Sequence, residues 1–294
     1  MGIVADHVRP YRGALALTYG AAVVENTFEL LYLFAIGLAI DGLLVGSWGG
    51  VIGFVVLSLA HTCLGVARQW YDTRLFNRLS ASLAADLVED QRAEGVATTS
   101  LVARTVLVGE YVDFLDSGVN TAIMAAFAVV GSAVMLFFYD PLVGLVAVAV
   151  AIPVAVINRR LMRRSAGTYR ALNDLSEHEV SLIDEGSVKE VRRHFVVIAG
   201  HWNRLSDDEG VSWGAVDVIA LGLSVFALVR VTNTSSDVGA IFAVIAYVWA
   251  YIGGFDQLPA VLQRMSNLAD IRGRLDGINA AEVHEAPPVT PGIR

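Results

Sequence analysis

Residues 142–164 read LVGLVAVAVAIPVAVINRRLMRR, an apolar run to residue 158 followed at once by Arg159, Arg160, Arg163 and Arg164. At ~1.5 Å per helical residue such a run approaches the ~30 Å hydrocarbon core of a bilayer. The arginines that stop it mark a cytoplasmic end by the positive-inside rule. Working outward, comparable runs lie near 14–40, 50–67, 117–138, 211–229 and 239–255. Threading the chain through six spans puts 20 of its 21 Lys and Arg residues on one side, leaving Arg230 alone at an outer end. Both termini and two long loops are therefore expected in the cytoplasm.

Composition agrees with this. The chain is 55% hydrophobic and 17% charged, with a mean hydropathy of +0.58, a balance that a water-soluble chain of this length does not carry. With a net charge of −8 and no separate basic patch or arm, no nucleic-acid partner is expected. The one cysteine, Cys63, lies inside an apolar run, so neither a disulfide framework nor a cysteine metal site is expected. The first apolar run is too long for a cleavable signal and reads as a retained first helix.

Short turns face outward: residues 41–50 with their glycines and Trp48, Tyr139-Asp140-Pro141, and residues 232–237 with Asp237 or a nearby serine as N-cap. The inner segments, 68–116 and 159–210, are charged and proline-free, yet keep apolar residues at helical spacing. Leu75, Leu79, Leu83 and Leu87 form one stripe; Leu172, Leu175, Val180 and Ile183 form another. Helical hairpins are expected there, bending near Gly95 in the first and near Gly200, within His194 to Arg204, in the second. The six-helix domain is expected over residues 1–276, with a disordered tail over 277–294 containing Pro287, Pro288 and Pro291.

Two short segments add to this layout. Gly37-Leu38-Ala39-Ile40-Asp41-Gly42-Leu43-Leu44 closes the first span, and Leu107-Val108-Gly109-Glu110-Tyr111-Val112-Asp113-Phe114 enters the third. With the six spans and two inner excursions they resemble the transmembrane domain of ABC exporters over residues 10–276. The resemblance implies an all-α membrane protein with two long cytoplasmic excursions, assembled as a domain-swapped homodimer around a cargo pathway. An ATPase normally follows in that family. Here the only lysine, Lys189, lies between Val188 and Glu190, so no Gly-Lys phosphate loop is present in these residues. In layout the chain is similar to SbmA/BacA-type peptide transporters, which lack an ATPase domain. No nucleophile elbow, zinc helix or paired-cysteine motif appears, and neither enzymatic activity nor a cofactor is expected.

Ionisable groups at membrane depth are costly and mark candidate functional sites. Glu25 and Glu29 share a helix face, about 24 and 18 Å in from Asp41; His61 lies about 16 Å in from Gly50. Glu29 and His61 are equidistant in sequence from Val45, so an antiparallel pair of helices would bring them level. A level carboxylate and imidazole could share a proton; a purely structural hydrogen-bonding role is the alternative. Asp217 joins these as a cavity candidate. Asp113 and Asp116, near Asn120, and Asp256, near Gly253 and Gly254, are candidates for an inner gate. Tyr247, Trp249 and Tyr251 either line a cavity or pack. Together these readings predict an inner-membrane transporter for peptides or other small cationic or zwitterionic molecules, working by alternating access and coupled to protons. Two alternatives remain: the membrane subunit of an exporter with a separately encoded ATPase, or a non-transport scaffold.

Overall fold

In a computed structural model, residues 8–93, 98–177 and 179–285 are described, and they are helical almost throughout. After a short 3-10 turn, Arg9–Tyr11, the helices are α1 (Arg12–Leu44), α2 (Gly49–Ala93), α3 (Thr98–Asp113), α4 (Val119–Ala126), α5 (Ser132–Tyr139), α6 (Pro141–Glu177), α7 (Glu179–Glu185), α8 (Val188–Thr234) and α9 (Val238–Glu285). Two π-helical segments, Phe114–Gly118 and Phe127–Gly131, interrupt the third apolar stretch. Six helical stretches are long and apolar enough to cross a membrane, matching the six runs read from the sequence. The expected all-α membrane architecture is thus observed.

The chain forms two compact units. One holds the residues up to Phe127 together with those from Ala260 onward; the other holds Ala128–Pro259. In the first unit α1 and α2 run antiparallel. Contacts between Tyr11 and Ser82, Thr18 and Asp72, Tyr32 and Phe54, and Leu38 and Gly50 step along them in opposite directions. The turn between them ends on Gly46, the one described residue with a left-handed backbone (φ 76°), which glycine adopts without steric cost. Leu15, Leu75, Phe76, Leu79, Leu83, Val108 and Val112 form a buried core of α1, α2 and α3. The leucine stripe of α2 is therefore a packing face, as its spacing predicted.

In the second unit, Val143, Ala147 and Val154 of α6 are buried, as are Val216, Leu223, Ala227 and Val231 of α8 and Val244, Tyr247, Val248 and Tyr251 of α9. Gly254 lets α9 approach Ala128 and Val129: a Cβ there would sit 2.7 Å from Val129 Cγ2. Tyr247 and Tyr251 are packed, and the Tyr251 hydroxyl donates to the Ala147 carbonyl at 2.8 Å, while Trp249 is exposed. Asp140 caps α6, its Oδ1 accepting from Leu142 N at 2.8 Å and Val143 N at 3.1 Å. Its Oδ2 accepts from Arg230 Nε at 3.0 Å. The single basic residue at an outer end is thus paired, which explains its tolerance there.

Three expectations need correction. Gly200 is not a bend, because α8 continues through it from Val188 to Thr234. The break lies at Gly186–Ser187, where Ser187 Oγ accepts from Glu190 N and the Glu190 carboxylate accepts from Ser187 N, a reciprocal capping box. A Cβ at Gly186 would fall 2.2 Å from the Leu182 carbonyl, so only glycine fits that corner. Second, Ile183 is exposed, while Leu172 of the same expected stripe is buried. Third, α9 extends to Glu285, past the boundary drawn at 276; Pro259 lies inside it, and the next proline, Pro287, comes after its end. Gly95 lies outside the described residues, between the end of α2 at Ala93 and the start of α3 at Thr98.

Replacing Ser187 with alanine removes one side of the capping box and should cost the start of α8 about 1 kcal/mol. Faster amide exchange over residues 188–192, with residues 216–231 unchanged, is the expected reading.

Candidate functional site

The first unit holds a charge network that crosses three helical segments. Arg68 projects from α2 about 28 Å in from Gly49 by helical rise. Its Nε donates to Glu25 Oε2 of α1. Its Nη1 donates to Asp72 Oδ2 at 3.0 Å, one turn along α2, and to Asn120 Oδ1 of α4 at 3.3 Å. Asp72 also accepts from Thr18 Oγ1 at 2.9 Å. Thr18 is fully buried and Asp72 nearly so; the Glu25 and Arg68 side chains are 19% and 20% exposed. A guanidinium suits this place because its planar fork serves several acceptors at once.

The geometry follows from side-chain direction. Side chains lean toward the N-terminus of their own helix, so in an antiparallel pair they lean toward each other along the axis. Glu25 is level with Gly65, where a Cβ would meet Glu25 Oε1 at 3.1 Å. From that level Arg68 leans back to meet the carboxylate. His61, one turn to the other side, brings Nε2 to 4.0 Å from Glu25 Oε1, an electrostatic approach rather than a hydrogen bond. The expected Glu29–His61 pair is therefore corrected. Symmetry about Val45 places the heights well, but Glu29 is exposed, and Glu25 is the carboxylate recorded against His61 and Arg68 of α2.

Asn120 in turn donates Nδ2 to the Asp116 carbonyl at 2.8 Å. Asp116 sits in the first π-helical segment, within electrostatic reach of Asp72, Asp113 and Arg68. That segment has partners outside its own helix. The Tyr19 hydroxyl donates to the Leu115 carbonyl at 2.8 Å, and Arg264 of α9 donates to Ser117 Oγ. A π-turn shifts the helix hydrogen-bond register, and such turns occur often at functional positions. Asp113 is exposed and accepts from Ser117 Oγ through its carbonyl at 3.0 Å.

Asp217 and Asp256 belong to the second unit. Both are exposed on the isolated chain and within electrostatic reach of each other. Among the described residues no group of three or more His, Cys, Asp or Glu side chains could hold a metal ion. Sequence reasoning proposed Glu25 and His61 but treated Arg68 as a boundary charge and passed over Asp72 and Thr18. A signal was available: Arg68 and Asp72 are four apart, a spacing that pairs on a helix face.

Six membrane-length helices and an ionic cluster among the first three stretches define the class as a polytopic helical membrane domain. The family described as the ABC transporter transmembrane region matches residues 6–240, most of the chain, and this chain belongs to it. No curated protein matches the sequence. A role in membrane transport follows from the family.

Proposed function

We propose that the chain is the membrane-spanning half of a homodimeric ABC-type transporter, driven by an ATPase that docks on its charged helix extensions. The observation that carries this reading is helix length. α2 and α8 contain 45 and 47 residues, about 70 Å at 1.5 Å per residue, against a ~30 Å hydrocarbon core. An α2 that packs its inner half in a buried core, and an α8 that starts at a reciprocally capped corner, suit levers that transmit motion. Residues 1–294 carry no phosphate loop, so the ATPase comes from outside them. Six helices then supply one half of a two-fold pathway, C2 pairing being the commonest closure. The location is a bacterial inner membrane, with both termini in the cytoplasm as the basic asymmetry requires.

Labelling tests the topology: cysteines at Val45 and Ser235 should react with a membrane-impermeant maleimide from outside, and cysteines at Gly95 and Gly200 should not. Light scattering of the detergent-solubilised chain should give a two-copy mass. An active monomer would remove the shared pathway.

A second reading, coupling to protons without an ATPase, is favoured by one observation. Glu25, Asp72 and Arg68, at the inner end of the second span, carry one more negative than positive charge, and His61 stands 4.0 Å from Glu25. Asp116 also faces this set electrostatically. Protonated His61 would balance Glu25, Asp72 and Arg68, and exposure of alternate sides could load and release that proton. Cargo would then be cationic or zwitterionic, peptides included. On this reading His61→Gln and Glu25→Gln abolish uptake driven by a pH gradient; on the ATPase reading both leave ATP-driven transport sensitive only to changes at the helix extensions. Glu29→Gln, at an exposed position, should leave transport unchanged on either.

A further inference from the structure

The inner end of the fourth span carries a basic patch that neither transport reading uses. α6 has two faces. One packs within its unit, through the Tyr251–Ala147 hydrogen bond and another from Asn158 Nδ2 to the Phe255 carbonyl at 3.4 Å. The opposite face is open: Leu145, Val148, Ile152 and Val156 are exposed at three- and four-residue spacing. That stripe runs directly into exposed Arg159, Arg160, Arg163 and Arg164.

The patch differs in sign from its counterparts. Between Asp140 and Asp174 the sequence contains no Asp or Glu. The other charged helix ends mix signs: Arg68, Asp72, Arg74 and Arg78 on α2; Arg104, Glu110 and Asp113 on α3; Arg204, Asp207, Asp208 and Glu209 on α8. Arg164 is paired with Asp208 at 3.1 Å. Among the described residues no carboxylate is recorded against Arg159, Arg160 or Arg163. Three uncompensated guanidiniums thus stand where an apolar, outward-facing stripe ends.

We propose that this face binds an anionic phospholipid of the inner leaflet, its acyl chains along Leu145, Val148, Ile152 and Val156 and its phosphodiester held by Arg159, Arg160 and Arg163. Guanidinium forks pair with phosphate oxygens in two parallel hydrogen bonds, which selects a phosphate over a diffuse negative surface. A zwitterionic headgroup brings its own cation against the patch and is disfavoured. The continuous apolar stripe favours a lipid over a soluble phosphate, which has nothing to place there. Basic sites at the cytoplasmic ends of membrane helices attract such headgroups.

Native mass spectrometry of the solubilised chain, titrated with dioleoylphosphatidylglycerol and dioleoylphosphatidylcholine, tests this. The wild-type protein should retain the anionic lipid about tenfold or more in preference to the zwitterionic one, given the contribution of each arginine near a membrane surface. The R159Q/R160Q/R163Q variant should lose that preference, and the R159K/R160K/R163K variant, which keeps the charge, should largely keep it. R74Q/R78Q, which removes charge from the mixed end of α2, should match wild type. Should the glutamine triple variant not fold, R159Q/R163Q must lower the preference several-fold. A preference unchanged in the glutamine variants overturns the proposal. So does displacement of bound phosphatidylglycerol by inorganic phosphate alone, which would assign the arginines to a soluble anion.

Discussion

Arg68→Leu is expected to destabilise the domain by about 3–5 kcal/mol, the cost of leaving buried charge without its partner. Glu25 and Asp72 both lose their cation, and Asn120 loses a donor. Arg68→Lys should fall between, because an ammonium cannot reproduce the fork that serves three acceptors. Glu25→Gln should cost less than Arg68→Leu, since Arg68 then keeps Asp72. The triple variant Glu25→Gln/Arg68→Leu/Asp72→Asn removes the charges together and should recover much of the loss. Thermal unfolding of the solubilised protein, followed by size-exclusion fluorescence, provides the ranking. A triple variant no more stable than Arg68→Leu would show that the network is not the cause.

Gly50→Val is expected to be as damaging for a different reason. A Cβ at Gly50 would lie 2.3 Å from the Leu38 carbonyl oxygen and 2.8 Å from Ala39 Cα. Those are backbone atoms of α1, so no rotamer change relieves the overlap and the outer ends of α1 and α2 must separate. Overpacking of this kind costs about 3 kcal/mol or more when the backbone has to move. Gly53, one turn further along α2, has no atom within 4 Å of a built Cβ; Gly53→Ala should be neutral or slightly stabilising. Equal expression and equal melting of the two variants would contradict the close approach of α1 and α2.

The spans were legible because a bilayer imposes a length, and length is visible in one dimension. The Asp140–Pro141 corner was legible because cap chemistry is local. Val45 as the centre of the first hairpin also held, since Glu25 and Gly65 lie level about it. What the sequence left open was the face. Glu25 and Glu29 both sit on α1 four residues apart, yet Glu25 is the one paired with α2 while Glu29 is exposed, and nothing local distinguishes them. Arg68 was read as the end of a span because a charge after an apolar run usually is one. Its true role needed Thr18, Glu25, Asp72 and Asn120, spread over three helices, to be brought together. The bend placed at Gly200 had a different origin. A helix tolerates one interior glycine for about 1 kcal/mol, while the capping box Ser187-Val188-Lys189-Glu190 stood in the sequence as the stronger signal.

The central claim is that two copies move their charged extensions in response to an ATPase. Spin labels on Arg193→Cys, in a Cys63→Ser background, report it without knowledge of the cargo. Arg193 is exposed near the start of α8, and the inter-label distance can be measured in inverted membrane vesicles prepared with native partners present. The account predicts a defined distance between two copies that changes on adding ATP and magnesium and stays fixed when only the pH is stepped. No inter-copy distance, or a distance that follows pH and ignores ATP, would contradict it.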